Sequence, residues 1–95
     1  MSFKLIVKPE AEREIQDIFD WYEGKVQGLG ERFLDELEIK FSRILDHPEG
    51  FQFHFKDFRF AFLDRFPVSI HFKIEGNMIY IFGIFPTSIN PDNWK

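Results

Sequence analysis

The chain has 95 residues, of which 44% are hydrophobic and 29% charged, a composition typical of one globular domain. It contains no cysteine, which excludes a disulfide framework, a thiol nucleophile and a thiolate zinc site. The formal net charge of −4 argues against a protein whose main task is to grip a phosphate backbone, although a local basic face is compatible with that total.

The N-terminal residues hold neither the apolar stretch of a signal peptide nor the roughly 20 apolar residues that span a membrane. We therefore expect a cytoplasmic protein that makes no membrane contact. Fourteen residues are phenylalanine. We expect most of these rings in the core and the remainder in a surface patch, because each buried ring removes a large apolar area from water.

The first half of the chain predicts a short strand and two amphipathic helices. Residues 2–7 alternate, and apolar residues then recur at helical spacing from Pro9, which suits a first helical turn, to about Val26. Gly28 and Gly30 flank a break, and both are expected to supply the positive φ angles of a tight turn. The second helix ends before a proline, and so short a connection predicts an antiparallel helical hairpin.

The second half predicts a sheet. Alternating residues predict strands over 58–62 and 68–74, the latter with one side facing solvent. The segment 51–55 alternates as well and is either a strand or an extended loop. After a turn at 75–77, residues 78–85 are almost continuously apolar, which predicts a central strand covered on both faces.

The predicted order is β-α-α-β-β-β in a single α+β domain over 1–95, with the helical hairpin packed on a small, mainly antiparallel, twisted sheet. Several local motifs accompany this order: Asp20-Trp21-Tyr22, Gly28-Leu29-Gly30-Glu31-Arg32-Phe33-Leu34, Arg65-Phe66-Pro67, Ser88, Asn90-Pro91-Asp92 and Trp94-Lys95. In their order and spacing, these motifs resemble the RelE/ParE toxin superfamily, in particular its ParE-like branch of plasmid stabilization proteins.

The resemblance implies a bacterial toxin that inhibits growth and is blocked by a cognate antitoxin protein. Toxins of the RelE type cut messenger RNA on the ribosome, whereas toxins of the ParE type poison DNA gyrase. Both branches share one fold, so the site residues must distinguish them. A homodimer and a toxin–antitoxin hetero-oligomer are both compatible with the sequence.

Metal-free RNA cleavage needs a base, a cation beside the phosphoryl oxygens and an acid for the leaving oxygen. The ribonuclease pattern of the family supplies them with Lys, Arg, Tyr or His on the sheet. This chain departs from that pattern at three positions. Ser69 stands where an arginine follows a tyrosine, Pro86 where a histidine ends the last strand, and Ile89 where an arginine precedes Asn/Asp-Pro.

The remaining cations suggest candidate sites. If the chain is an enzyme, the candidate catalytic residues are Arg59, Arg65 and His71, and an imidazole that titrates near neutrality could serve as the base. The residues predicted to contact partners are Arg59, Arg65, Lys73, Trp21 and Trp94. The helix carboxylates have the spacing of solvated faces, so no metal site and no cofactor are expected.

Two hypotheses follow from different classes. The first is a binding module, a ParE-like toxin or a toxin-derived protein that works through contacts with its antitoxin and with DNA gyrase. The second is an enzyme, a RelE-type endoribonuclease that acts on the ribosome with Arg59, Arg65 and His71. The missing arginines and histidine and the acidic pI near 5.3 favour the first.

Overall fold

The computed structural model describes residues 2–87, apart from the side chain of His54. Its elements follow the predicted order with one short strand added: β1 (Lys4–Val7), α1 (Pro9–Lys25), α2 (Leu29–Asp46), a 3-10 turn (Pro48–Gly50), β2 (Phe53–Phe55), β3 (Phe58–Phe62), β4 (Val68–Glu75) and β5 (Met78–Pro86). The sheet order is β1-β5-β4-β3-β2, with β1 parallel to β5 and the other pairs antiparallel. The predicted α+β fold is confirmed.

Each helix buries one apolar stripe against the sheet. The buried residues are Ala11, Ile18 and Tyr22 in α1 and Gly30, Phe33, Leu37 and Ile44 in α2. These positions recur at spacings of three, four and seven residues, so they lie on one side of each helix. They pack on the isoleucines of β5 and on β4 to form one core.

The hairpin junction depends on two glycines that act in different ways. Gly28 caps α2 at φ 89°, in the left-handed region that favours glycine. Gly30 does not have a positive φ, and the prediction that it supplies one is wrong. It lies in the first turn of α2, where a β-carbon would come within 2.8 Å of the Phe19 ring. Its role is to let α1 and α2 approach closely.

The strand β5 is an interior strand of the sheet, between β1 and β4, and β4 is the middle strand of the five. The β5 residues Ile79, Ile81 and Ile84 are buried against the helices. The prediction that both faces of this strand are covered is wrong for the described residues. Phe82 and Phe85 point to the other side, where Phe85 is 40% exposed. We call that side, which the helices do not cover, the open face.

The phenylalanines divide equally between the core and the surface. Seven belong to the core or pack against it, and seven do not: Phe53, Phe55, Phe58, Phe60, Phe62, Phe82 and Phe85. The expectation that most rings are core is therefore wrong, whereas the expected surface patch is confirmed. The strand β2, which the sequence left open as a strand or a loop, forms one sheet edge and pairs irregularly with β3.

Candidate partner-binding surfaces

Arg59 lies on the helix-facing side of the sheet. Along β3 it alternates with residues that point to the open face, and it lies on the same side of the sheet as Ala61, which is buried. Its Nη1 donates to the carbonyl oxygens of Phe51 at 2.7 Å and Glu49 at 3.2 Å. The guanidinium carbon lies 3.9 Å from the centroid of the Phe53 ring. These contacts attach the segment after α2 to the sheet.

Arg65 lies in the loop between β3 and β4, beside α2. Its side chain is 87% exposed, and its Nε is 3.9 Å from a carboxylate oxygen of Glu36. The backbone N–H of Arg65 donates to the other oxygen of the same carboxylate at 3.1 Å. The exposed guanidinium forms one rim of a groove of about 740 Å³ between the helices and this loop, here called the hairpin groove.

The hairpin groove combines an apolar floor with charged walls. Its lining residues are Tyr22, Leu29, Arg32, Asp35, Glu36, Arg65, Phe66 and Pro67. The Tyr22 ring packs edge-on against Phe66 at 4.9 Å, and burial raises the pKa of its phenol above the ordinary value. Tyr22 is therefore uncharged at neutral pH and contributes apolar surface to the groove.

His71 lies on the open face. Its ring stacks on Phe60, with centroids 3.7 Å apart and planes at 11°, and the Phe85 ring lies 4.6 Å away on a different strand. The Nε2 atom is 2.9 Å from the hydroxyl oxygen of Ser69, and which of the two donates depends on the tautomer. The imidazole is thus held by the aromatic rings and the hydroxyl around it.

The structure does not bring the three candidate catalytic residues together. Arg59 and His71 lie on opposite sides of the sheet, and Arg65 lies beyond the end of β3 beside a helix. Ser69, which departs from the ribonuclease pattern that the resemblance implied, is only 3% exposed. Pro86, a second departure from that pattern, ends β5 beside Glu14.

The other predicted contact residues occupy separate surfaces. The Lys73 ammonium lies on the open face, 3.4 Å from a carboxylate oxygen of Asp57 and 4.6 Å from the centroid of the Phe58 ring. Trp21 packs against the core, with the Lys25 ammonium 5.0 Å from its ring centroid. Trp94 and Ile89 lie outside the described residues.

The open face contains a second cavity, which the sequence did not predict. This open-face pocket has a volume of about 380 Å³ and is lined by Phe55, Phe58, Phe60, His71, Phe82, Gly83 and Phe85. Its residues come from β2, β3, β4 and β5, so only the strand register assembles it. The alternation of aromatic residues in 58–62 was the available signal, but the same pattern is typical of a core-facing strand.

One carboxylate links α1 to the end of β5. Glu14 of α1 accepts a hydrogen bond of 2.9 Å from the backbone N–H of Ile84. Burial raises the pKa of Glu14 most strongly, and the nearby carboxylates of Glu10 and Asp17 raise it further, against the lowering effect of the Ile84 hydrogen bond. The contact fixes α1 against β5.

Within residues 2–87, no group of three or more His, Asp or Glu side chains is arranged to hold a metal ion. Neither helix of the described chain is long and apolar enough to cross a membrane.

Comparison with known proteins identifies the family. The model of the family described as "ParE toxin of type II toxin-antitoxin system, parDE" matches residues 5–91, almost the whole chain. The chain belongs to the ParE toxin family. It is therefore a ParE-type toxin of a type II toxin–antitoxin system, as its sequence motifs indicated. No curated protein sequence matches it.

Solved structures support the fold of this ParE-type chain. It superposes with a TM-score of 0.82 on a chain of a structure titled "Chromosomal ParDE TA system from P. aeruginosa", covering 92% of this chain and 98% of that one. The two sequences are 16% identical, so the match is evidence of a shared fold and not of shared side-chain contacts.

Proposed function

We propose that this ParE-type toxin acts through protein–protein contacts, with a cognate antitoxin that neutralises it and with DNA gyrase as its cellular target. The proposal places the protein in the bacterial cytoplasm, where gyrase works and where a chain without cysteine needs no oxidising environment. Family membership supports the toxin role, and the arrangement of the side chains supports protein contacts over catalysis.

The observation that carries the proposal is the separation of Arg59, Arg65 and His71. In-line attack on a phosphodiester requires cations or donors that converge on one phosphate, and loss of one such group costs about 10²–10³ in rate. Arg59 binds backbone carbonyls on the helix side, whereas His71 is stacked between rings on the open face. Among the described residues, these three groups have no common substrate position.

The alternative is a RelE-type endoribonuclease that acts on the ribosome. It requires these same cations to rearrange, or groups outside residues 2–87 to complete the site. The geometry of the described residues does not favour it over the first proposal.

The antitoxin is proposed to bind across the hairpin groove and the open face. Both surfaces are concave and largely apolar, and the exposed rings include Phe55 and Phe62, at 60% and 54% exposure. Large exposed apolar patches on a small domain mark binding surfaces. A segment that is disordered when free and folds upon binding can cover two such surfaces at once.

Induced expression in a bacterial host tests the proposed function. Growth, plasmid supercoiling and the integrity of messenger RNA are followed together, with and without co-expression of a neighbouring small open reading frame. We expect growth arrest and loss of supercoiling with intact messages, both relieved by the neighbouring protein. Arrest accompanied by codon-specific cleavage of messages would instead support the endoribonuclease alternative.

A further inference from the structure

The charge of the molecule is divided between its two layers. Residues 9–46, which form the helical hairpin, contain eleven acidic and five basic side chains, a net charge of −6. The rest of the chain therefore carries +2 of the total of −4. A partner that approaches the sheet meets a different potential from one that approaches the helices.

Two lysines on the open face flank the Phe82 ring. The ammonium groups of Lys8 and Lys73 each lie 5.7 Å from the centroid of the Phe82 ring, and that of Lys8 is equally far from Tyr80. Lys73 has Asp57 as an ion-pair partner. No carboxylate among the described residues lies within ion-pair distance of Lys8. Lys8 thus presents a positive charge that a partner can neutralise.

The open-face pocket beside these lysines depends on a glycine. The Phe85 ring lies over Gly83, so close that a β-carbon there would meet the ring at 2.4 Å. With its ring over Gly83, Phe85 lies beside His71. A recess of about 380 Å³ remains, bordered by aromatic rings from several strands. A recess of this size and apolar lining suits one large apolar side chain and excludes a charged one.

We propose that the open-face pocket binds an extended acidic segment of a partner protein, through one apolar side chain seated between Phe60, Phe82 and Phe85 and through carboxylates paired with Lys8 and Lys73. The inference rests on the proposed function in that the antitoxin is the expected source of this segment. It adds the chemistry of the contact: an apolar anchor flanked by negative charge.

The arrangement of the rings favours a peptide over a single-stranded nucleic acid. Bases bind proteins by stacking on accessible ring faces along a basic groove. Here His71 covers one face of Phe60. The rings of Phe58 and Phe82 meet edge-to-face at 84°, and the Lys73 ammonium lies over the Phe58 ring. The central rings therefore form the walls of a recess, not a stacking platform.

A pair of synthetic peptides tests the inference on the full chain. The probe is a nine-residue peptide that alternates leucine with glutamate around a central tryptophan, and its twin has lysine in place of every glutamate. Binding is followed by amide chemical shifts of the labelled protein. We expect the acidic peptide to perturb the amides of Phe60, His71 and Gly83, and the basic twin to leave them unchanged.

Variants separate the two parts of the contact. Lys8→Met with Lys73→Met removes both charges and keeps apolar side chains, and we expect the affinity for the acidic peptide to fall about tenfold. The matched control is Arg13→Met with Arg43→Met, which makes the same change of charge at exposed positions of the hairpin and should leave the affinity within about twofold. Gly83→Ala displaces the Phe85 ring, which is 40% exposed and can turn into solvent, so it should lower the affinity with a smaller loss of melting temperature than Gly30→Ala.

Several results would overturn the inference. They are equal binding of both peptides, no binding of the acidic one, shifts confined to the hairpin groove, or an equal loss in the hairpin control. Tighter binding of a twelve-residue oligothymidylate at the same amides would identify a nucleic-acid surface instead. Each of these failures leaves growth arrest upon expression unaffected, whereas absence of arrest removes the proposed function and leaves the peptide result standing.

Discussion

Glu23 caps α2 from the preceding helix. Its carboxylate oxygens accept the backbone N–H groups of Gly28 at 2.8 Å and Gly30 at 2.9 Å, whereas the N-cap residue itself has no side chain that could do so. Unsatisfied N–H groups at a helix start are costly, and a negative charge there is favoured by the helix dipole. The junction between the helices therefore depends on this one carboxylate.

We expect Glu23→Ala to lower the free energy of unfolding by about 1–2 kcal/mol, since two charge-assisted hydrogen bonds at a helix start are lost. Urea denaturation measures the difference. Glu38→Ala, at an exposed position in the middle of α2, is the matched control and should change stability by less than about 0.5 kcal/mol. Equal effects of the two substitutions would mean that Glu23 acts only as a surface charge.

Glu14 predicts a dependence of stability on pH. Its pKa in the folded protein is raised above 4.5, chiefly by burial, so the ionised form is disfavoured by folding. The contribution of Glu14 to stability is then fully present below pH 4.5 and is lost as the pH rises through the higher folded pKa. A neutral residue that retains the acceptor for the Ile84 N–H avoids this loss.

We therefore expect Glu14→Gln to have a higher urea midpoint than the parent chain at pH 7, and the difference to vanish below pH 4.5. Unfolding curves recorded across that range measure it. Glu12→Gln, which is exposed on the same helix, serves as the control and should show no comparable change. A Glu14→Gln variant that is less stable at pH 7 would show that the hydrogen bond of the ionised carboxylate outweighs its burial.

The helical hairpin is an element in which two glycines have opposite roles. A β-carbon at Gly24 of α1 would meet nothing within 4 Å, whereas one at Gly30 of α2 would meet the Phe19 ring at 2.8 Å and a Glu23 carboxylate oxygen at 2.9 Å. The first glycine only weakens its helix, and the second allows the helices to approach.

Alanine substitutions should consequently have opposite signs. We expect Gly24→Ala to raise the free energy of unfolding by about 0.5–1 kcal/mol and Gly30→Ala to lower it by about 1 kcal/mol or more. Thermal and urea unfolding of the two variants, each compared with the parent chain, measure both effects. Stabilisation by both substitutions would show that Phe19 and Glu23 move aside at little cost.

The sequence predicts the elements of this fold better than their burial. The helices and β3, β4 and β5 agree with the predicted segments to within a few residues, because helical and alternating spacings differ strongly. The predictions that failed concern β5 and Gly30. An apolar run such as β5 does not reveal whether the rings that point away from the helices meet a second layer or solvent. A glycine at a turn does not reveal whether it is needed for its φ angle or for its lack of a side chain.

The candidate site was predictable only in part. Alternation along the strands already places Arg59 on the same side of the sheet as Ala61, and His71 on the same side as Lys73. The register between β3 and β4 places Phe60 opposite His71. The register between β4 and β5 places Gly83 opposite His71 on its other side. The position of His71 between aromatic rings follows from pairing across three strands, which no local pattern specifies.

On the scale of the whole molecule, the separation of the candidate residues predicts that the purified protein does not cleave RNA, free or on ribosomes, above background. The sequence has Ser69, Pro86 and Ile89 where the ribonuclease pattern has two arginines and a histidine. Loss of even one such group costs about 10²–10³ in rate. Primer extension on ribosome-bound messages measures cleavage. Codon-specific products that disappear in His71→Ala would contradict the prediction.

The most direct test of whether this ParE-type toxin acts through protein contacts is a supercoiling assay. DNA gyrase supercoils relaxed plasmid in the presence of increasing amounts of the purified protein. Denatured protein serves as the control. We expect the native protein to inhibit supercoiling in proportion to its concentration, and the neighbouring antitoxin to restore it when added in equal amount. Undiminished supercoiling at a large molar excess of a toxin that still arrests growth would contradict the proposal that gyrase is its target.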